Sequence, residues 1–554
     1  MTEAEPLGHE PWPLRAVILL ILGAALALAV HLLTRGSEAW QWTESPLRLG
    51  AAAVLAAGGI VFAVSLERPR WLWSVLFAAG AGLVVGFIVY WNGSPESWGA
   101  GEAWQLVSAL LAVVIAVPLF QASRDGGRWN LDYRLVHAHI LTNVVLWLVA
   151  WGFVLITFLL ILLLSELFQL IGIAVLRDLL QKPWVPWILV GGALGAAIGL
   201  LRDRDRIVGT LQRVATAILS FLAPILAAGL VLFVLALPFT GLDPLWEQTR
   251  ATTPILLVCL LGAVVLINAV IGTGSDEDES RPRLVRWAAA ALAAVVLPLA
   301  IVAAVSTGKR IAQHGFTPDR LWAAVFVAIA VAGAAAYLFA LIRGRAGWPD
   351  LLRTLNLRIA IGICLVALFL ALPIVSFGAI STRDQVVRLQ SGRIAADKFD
   401  WAALRFDFGP PGRQALERLA GNANPVVRQR AREALRASTR WAIASPASAP
   451  PARPGRRPAR IRAEGGGTIP PALSDLVGRG GQCGYDQTCR LVFVTPKRAV
   501  LLRPDCRQCS VFLFDAQPDG TWLQRLPPLP VATSTAPPPD TASGRVEVCV
   551  PYEG

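Results

Sequence analysis

ILTNVVLWLVAWGFVLITFLLILLL, residues 140–164, runs for twenty-five positions without a charged side chain. As a helix it would rise about 37 Å, more than the roughly 30 Å of hydrocarbon in a bilayer. A helix is also the form in which a single segment satisfies its own backbone polar groups in lipid. Ten further stretches have the same character: 16–34, 47–66, 71–91, 103–121, 184–201, 214–238, 252–272, 287–306, 320–342 and 357–380. The whole chain agrees with them. Of its 554 residues 55% are hydrophobic and 16% charged, and the mean hydropathy is +0.57. Soluble domains carry nearer a quarter charged residues. The composition excludes a disordered chain and argues against an ordinary soluble enzyme. The fold class expected is an all-α polytopic membrane bundle of about eleven transmembrane helices with a C-terminal soluble region, first short helices and then a small β-rich, cysteine-containing module.

Two stretches need comment. The first is not a cleaved leader: the preceding MTEAEPLGHEPWPLR is acidic rather than basic, and no small-residue cleavage site follows. The fifth continues apolar past Glu166 to Leu180. The reading here is a span at 140–164 followed by an amphipathic helix lying in the interface.

Charge placement sets the orientation. With the N-terminus in the cytoplasm, the loops and span ends on that side hold 17 basic residues of 1–382, among them Arg15, Arg124, Arg202 and Arg353, and the other side holds 8. That bias favours N-inside. An odd number of spans then puts the tail in the periplasm of a bacterial inner membrane. Trp71, Trp73, Trp91, Trp104, Trp184, Trp187, Trp246 and Trp322 fall near span ends, as expected for an aromatic belt. Of the net charge of +13, residues 383–554 account for +10. Long domains cross largely regardless of charge, so this does not reverse the orientation. The tail lacks interleaved lysine and aromatics, so the expected partner is the lipid bilayer and not nucleic acid.

The domains expected are a transmembrane domain at 1–382, a short soluble helical segment at 383–443, a linker at 444–471 and the small β-rich module at 472–554. Asn424-Pro425 is a helix start, a capping side chain followed by a ring that loses nothing there. SPASAPPARPGRRPARIRAEGGGTIPP has nothing to bury and reads as an extended, mobile spacer. LVFV at 491–494, AVLL at 499–502, SVFLF at 510–514, Thr521-Trp522-Leu523 and VEVCV at 546–550 read as strands, with Gln517-Pro518-Asp519-Gly520 as a turn. Five of the seven cysteines, Cys483, Cys489, Cys506, Cys509 and Cys549, lie in this module. So small a module has little core, and outside the cytoplasm these thiols become disulfides. Cys483, Cys489, Cys506 and Cys509 are the candidates, with no pairing assigned and Cys549 left over. Four-thiolate zinc is the alternative, but the Cys483-x5-Cys489 spacing is wider than usual and no histidine is near. Cys506-x2-Cys509 as a redox pair lacks a surrounding βαβ pattern.

The spans carry little chemistry. Asn143, Glu166 and Asn268 are the candidate intramembrane polar residues. None is a mid-depth carboxylate of the kind a coupled pump needs, and Asn268 is expected to bond a neighbouring helix. His137 and His139 point to different faces of a helix and make a poor metal pair. The acidic run Asp276–Glu279 reads as a solvated turn. Phosphate-loop, dinucleotide, nucleophile-elbow and zinc-protease motifs are all absent from the sequence, so no catalytic residue, cofactor or metal is assigned.

Four blocks together resemble the bacterial membrane proteins grouped as domain-of-unknown-function family 4153. They are YRLVHAHILTNVVLWLVAWGFVLITFLLILLLSELFQLIGI (133–173), ALPFTGLDPLWEQTRATTPILL with the later Asn268-Ala269, GKRIAQHGFTPDRLWA (308–323), and ISTRDQVVRLQSGRIAADKFDWAALRFDFGPPGRQALERLA (380–420). The resemblance covers about residues 10–420 in order and departs at His139, where an aromatic would be expected. It implies a multi-pass inner-membrane protein and brings no catalytic residues. Within the blocks, Thr317-Pro318-Asp319 reads as a helix start and Leu237-Pro238-Phe239-Thr240-Gly241 as a helix end. The function expected first is a non-enzymatic envelope interaction or sensing protein with an envelope protein partner. A transporter or flippase-like carrier of a small or lipidic substrate is the alternative, and a membrane-embedded enzyme the third.

Overall fold

A computed structural model describes residues 12, 14–36, 43, 45–95, 98–127, 131–241, 252–274, 281–437, 439–443, 460–463, 468–479, 488–502, 512–517 and 522–525. The chain divides into two compact units, Met1–Pro446 and Ala447–Gly554.

The first unit is helical. Its helices are α1 (Leu14–Thr34), α2 (Pro46–Ser65), α3 (Trp71–Asn92), α4 (Ala100–Asp125), α5 (Tyr133–Leu170), α6 (Val175–Leu180), α7 (Trp184–Arg202), α8 (Asp205–Thr240), α9 (Thr252–Ile271), α10 (Arg283–His314), α11 (Pro318–Gly344) and α12 (Trp348–Ala371). Ten helical runs among the described residues are long and apolar enough to cross a membrane. The last of them, Pro318–Ala371, is two helices: a short 3-10 turn at Arg345–Gly347 parts α11 from α12, and Arg345 takes φ 48° there. Tyr337 and Asn356, placed evenly about that turn, meet on the side chain of Asn268, so α11 and α12 run antiparallel. Eleven helices of transmembrane length result among the described residues, and the polytopic membrane bundle stands.

Two boundaries differ from the sequence reading. The fifth span does not stop at 164. α5 runs unbroken for 38 residues to Leu170, and the turn comes at Gly172, whose φ of 80° suits a residue without a Cβ. The last span is not 357–380 but Trp348–Ala371. Pro373 forces Leu372 out of the helical region (ψ 149°), and Phe377 opens the next helix with Ser376 as its cap.

Small residues set the packing. On α7, Gly191, Gly195 and Gly199 recur every fourth position and lie against Gly23, Leu19 and Ala16 of α1. A Cβ on Gly195 would fall far inside van der Waals contact distance of the Leu19 carbonyl oxygen, so the two antiparallel backbones touch. Gly82 and Gly86 do the same for α3 against α2. In the second half α10 is the central helix: Leu292, Val296, Leu299 and Ala300 are fully buried among α8, α9 and α11. α4 joins the halves by packing on α12.

A cap of shorter helices completes this unit: α13 (Phe377–Gln390), α14 (Trp401–Phe406), α15 (Gly409–Leu419) and α16 (Pro425–Arg436). Asn424 caps α16 by accepting from the Val426 and Val427 amides. Phe399, Trp401, Leu404 and Leu416 form a core of their own. α13 crosses the expected division at 382/383, and α13 and α15 lie on the membrane helices α11 and α4.

In the second unit, α17 (Pro471–Arg479) covers a sheet of β1 (Arg460–Ala463), β2 (Thr488–Thr495), β3 (Arg498–Leu502), β4 (Phe512–Ala516) and β5 (Trp522–Arg525). The order is β1-β2-β3-β4-β5, with β1 parallel to β2 and the other pairs antiparallel. The segment read as linker therefore contains a strand: Ile461 supplies an apolar side chain to the core, where Leu473, Val477, Leu491, Leu501 and Phe514 are fully buried. α17 was not expected, although Leu473, Leu476 and Val477 have helical spacing. The expected strand at 546–550 lies outside the described residues.

Candidate functional site

At one end of the bundle, where α1 and α5 begin and α2, α4 and α7 finish, charged side chains meet out of solvent. Arg15 Nη2 donates to Glu67 Oε2 at 2.9 Å, and its other terminal nitrogen lies 3.4 Å from Asp203. Arg202 lies 2.9 Å from the second Glu67 oxygen. Arg124 donates to the Ser65 carbonyl and to Ser74 Oγ, and it pairs with Asp125 at 2.7 Å. Asp125 in turn lies 3.2 Å from His139 Nε2. The sequence reading placed Arg15, Arg124 and Arg202 among the basic residues of the cytoplasmic loops and span ends. They are buried: Arg15 and Arg202 share the acid Glu67 at the end of α2, and Arg124 pairs with the adjacent Asp125 while bonding Ser65 and Ser74 of neighbouring helices. The available signal was that Glu67, Asp125 and Asp203 sit at those same span ends.

The intramembrane polar candidates separate. Asn143 on α5 exchanges hydrogen bonds with Gln121 of α4, the shorter being Asn143 Nδ2 to Gln121 Oε1 at 2.8 Å. Asn268, near the end of α9, is the centre of a second network. Its Nδ2 donates to Tyr337 Oη at 2.7 Å, and its Oδ1 accepts from Asn356 Nδ2 at 2.7 Å and Tyr133 Oη at 3.4 Å. Tyr133 Oη also lies 3.2 Å from His137 Nδ1. Four helices, α5, α9, α11 and α12, are thus tied by neutral groups. Arg353 donates to the carbonyls of Ile271 and Gly272, and Arg281 to that of Ala269, so cations cover the carbonyl end of α9. Glu166 joins neither network and is exposed near the far end of α5. His137, His139 and Glu166 do not converge, and among the described residues no group of three or more His, Cys, Asp or Glu is placed to hold a metal ion.

The opposite end carries the cap. Thr317 caps α11 by accepting from the Arg320 amide. From α13, Gln385 Nε2 donates to the His314 and Phe316 carbonyls, and Asp384 accepts from the Phe316 amide at 2.8 Å. A small pocket of about 30 Å³ opens where α4 and α11 meet the cap, lined by Glu102, Gln105, Trp322, Phe377 and Asp407 among others. Trp322 is buried against Phe377, Trp104 and Phe326 rather than at the lipid boundary, and among the described residues its indole nitrogen has no hydrogen-bond partner. Burial pushes the Asp407 carboxyl above its ordinary value despite its pairing with Arg440, whose guanidinium that hydrogen bond raises.

A larger cavity, about 180 Å³, lies between α1, α2 and α7 with Trp147 of α5 at its side, and its lining is apolar. The blocks quoted for the family resemblance pair up in space. Tyr133 of the first meets Asn268, and 314–316 of the third meets α13 of the fourth. Among the cysteines, Cys259 and Cys364 are free thiols on α9 and α12, and Cys489 is fully buried on β2. Cys483, Cys506, Cys509 and Cys549 lie outside the described residues. No protein-family model, curated protein or solved structure matches the chain.

Proposed function

We propose that this integral membrane protein is a non-enzymatic envelope component, a helical platform in the bacterial inner membrane that presents a small C-terminal module to an envelope protein partner. One observation carries the reading. Asn143 and Asn268 are each engaged by side chains of neighbouring helices, in separate networks, instead of lining a shared polar path. Membership of domain-of-unknown-function family 4153 belongs to the same proposal, and the meeting of its quoted blocks in two places supports it. So does the two-to-one arginine bias for a cytoplasmic N-terminus and a periplasmic tail. A disulfide in the module belongs to the same proposal, and Cys489, fully buried on β2, is the one candidate cysteine among the described residues.

A photo-crosslinking residue placed in intact cells at Val494 or Leu523, both exposed on the sheet, should give a discrete adduct with one envelope protein. Absence of any discrete adduct from both positions sinks the interaction reading. Mass spectrometry of protein alkylated before reduction should find Cys489 linked; reduced Cys489 in intact cells would overturn the periplasmic placement. The apolar cavity favours a second reading, a carrier of a lipidic substrate. Its check is the rate at which fluorescent phospholipid exchanges between leaflets of proteoliposomes, which this reading expects to rise above that of empty vesicles.

A further inference from the structure

The cavity between α1, α2 and α7 has a shape and a polarity that select an occupant. It follows α1 from Leu19 to Val30, roughly 16 Å at the helical rise. Glycine produces it. Gly191 and Gly195 bring α7 into backbone contact with α1, while Ala56 and Gly59 leave the facing side of α2 without bulk, so a slot remains beside the contact. Its walls offer water almost no polar partner, and a space of this kind is not filled by water. Around an embedded helix bundle the abundant apolar filler is the acyl chain.

The two ends of the slot differ. Leu19, Ala63 and Ile198 line one end, and one helical turn beyond them lie Arg15, Glu67 and Arg202, whose mutual ion pairs close the floor. Val30 and Trp187 line the other end, where the Trp187 ring stands 5.8 Å from that of His31. Beyond that end of α1 lie two exposed arginines. Arg35 follows the last turn of α1. Arg48, in the first turn of α2, donates to the Leu32 and Arg35 carbonyls and so is held over the end of α1. A slot that is apolar along its length, with a self-neutralised network past one end and two exposed cations past the other, fits an amphiphile with its tail inside and an anion at the cationic end.

We infer that the slot binds one acyl chain of an anionic phospholipid, whose headgroup rests against Arg35 and Arg48. The site is independent of the interaction reading above and of any movement of lipid between leaflets.

The test uses the full chain in phosphatidylcholine nanodiscs doped with a phospholipid carrying a diazirine in its acyl chain, as phosphatidylglycerol or as phosphatidylcholine. After photolysis, adducts are mapped by peptide mass spectrometry. As the mole fraction of the phosphatidylglycerol probe rises, adducts on Ala27, Ala56 and Leu194 should saturate, while those on the exposed Phe221, Ile225 and Leu232 of α8 should climb linearly. At low mole fraction the slot should label several-fold more with the phosphatidylglycerol probe than with the phosphatidylcholine probe, and R35Q/R48Q should erase that difference. Ala56→Phe, which fills the slot from an exposed position, should remove slot adducts and leave those on α8. Linear labelling of the slot matching that of α8 overturns the site, and saturable labelling blind to headgroup overturns the anionic assignment. The titration on the parent protein decides the first point even if Ala56→Phe fails to fold.

Discussion

Glu67 is the residue on which the charged end of the bundle turns. It stands between Arg15 and Arg202, with side-chain exposures of 10%, 3% and 8% respectively. Removing one member of a buried ion network leaves uncompensated charge and costs about 3–5 kcal/mol. Glu67→Gln is therefore expected to destabilise the helical unit on that scale in denaturant unfolding from detergent micelles. Arg430→Ala, which breaks an exposed pair with Glu433, should change it by about 0–1 kcal/mol. Equal effects would contradict the buried reading. At Asn268 the groups are neutral, and interhelical hydrogen bonds of this kind average about 0.6 kcal/mol in membranes, up to about 1.7. A double-mutant cycle of Asn268→Ala with Asn356→Ala should return coupling in that range. Zero coupling would mean that the two amides do not meet in lipid. The sequence showed Asn268 as the clearest polar residue inside a span but not its partners, since Tyr133, Tyr337 and Asn356 come from distant segments and each looks like an ordinary residue near a helix end.

At the scale of elements, helix ends were the legible feature. Thr317-Pro318 and Asn424-Pro425 start helices as their capping chemistry requires, and Gly241, bonded to Leu237 through its amide, follows the end of α8. These are local effects, fixed by a side chain within a few residues. The α1–α7 contact is not local, yet its signal is in the chain as glycine at every fourth position of α7. Gly195→Val would push a side chain into the Leu19 carbonyl. With backbone on both sides and nothing flexible to yield, the loss should meet or exceed the roughly 1–3 kcal/mol of ordinary overpacking. Gly209→Val on α8, where a Cβ meets open space, is the control. Comparable melting of the two variants in detergent would show that α1 and α7 do not touch. The longer α5 has a different cause: apolar character alone does not end a helix, and neither proline nor glycine occurs between 164 and Gly172.

At the scale of the whole molecule, helix ends that meet share a side of the membrane. Arg15, Glu67, Arg124 and Arg202 gather at one end, whereas Gln385 reaches His314 and Phe316 at the other. Single cysteines replacing the exposed Arg134 and Arg204 should therefore react with an impermeant maleimide from one side of sealed vesicles. Cysteines replacing the exposed Lys182 and Arg393 should react from the other. Any mixed pattern would break the alternation. The sequence by itself determined that the chain enters lipid, how many helices do so and where most of them begin and end, because the transfer of apolar side chains from water and local capping depend on near neighbours alone. It also marked the β-rich module through its short branched and aromatic runs. Tertiary structure alone decided that three arginines at span ends are buried in ion pairs, that the family-like blocks meet in two places, that a strand hides in an apparent linker, and that a slot remains beside α1. Each of these depends on which distant segments come within a few ångströms of one another, and composition and spacing along one chain do not encode that directly.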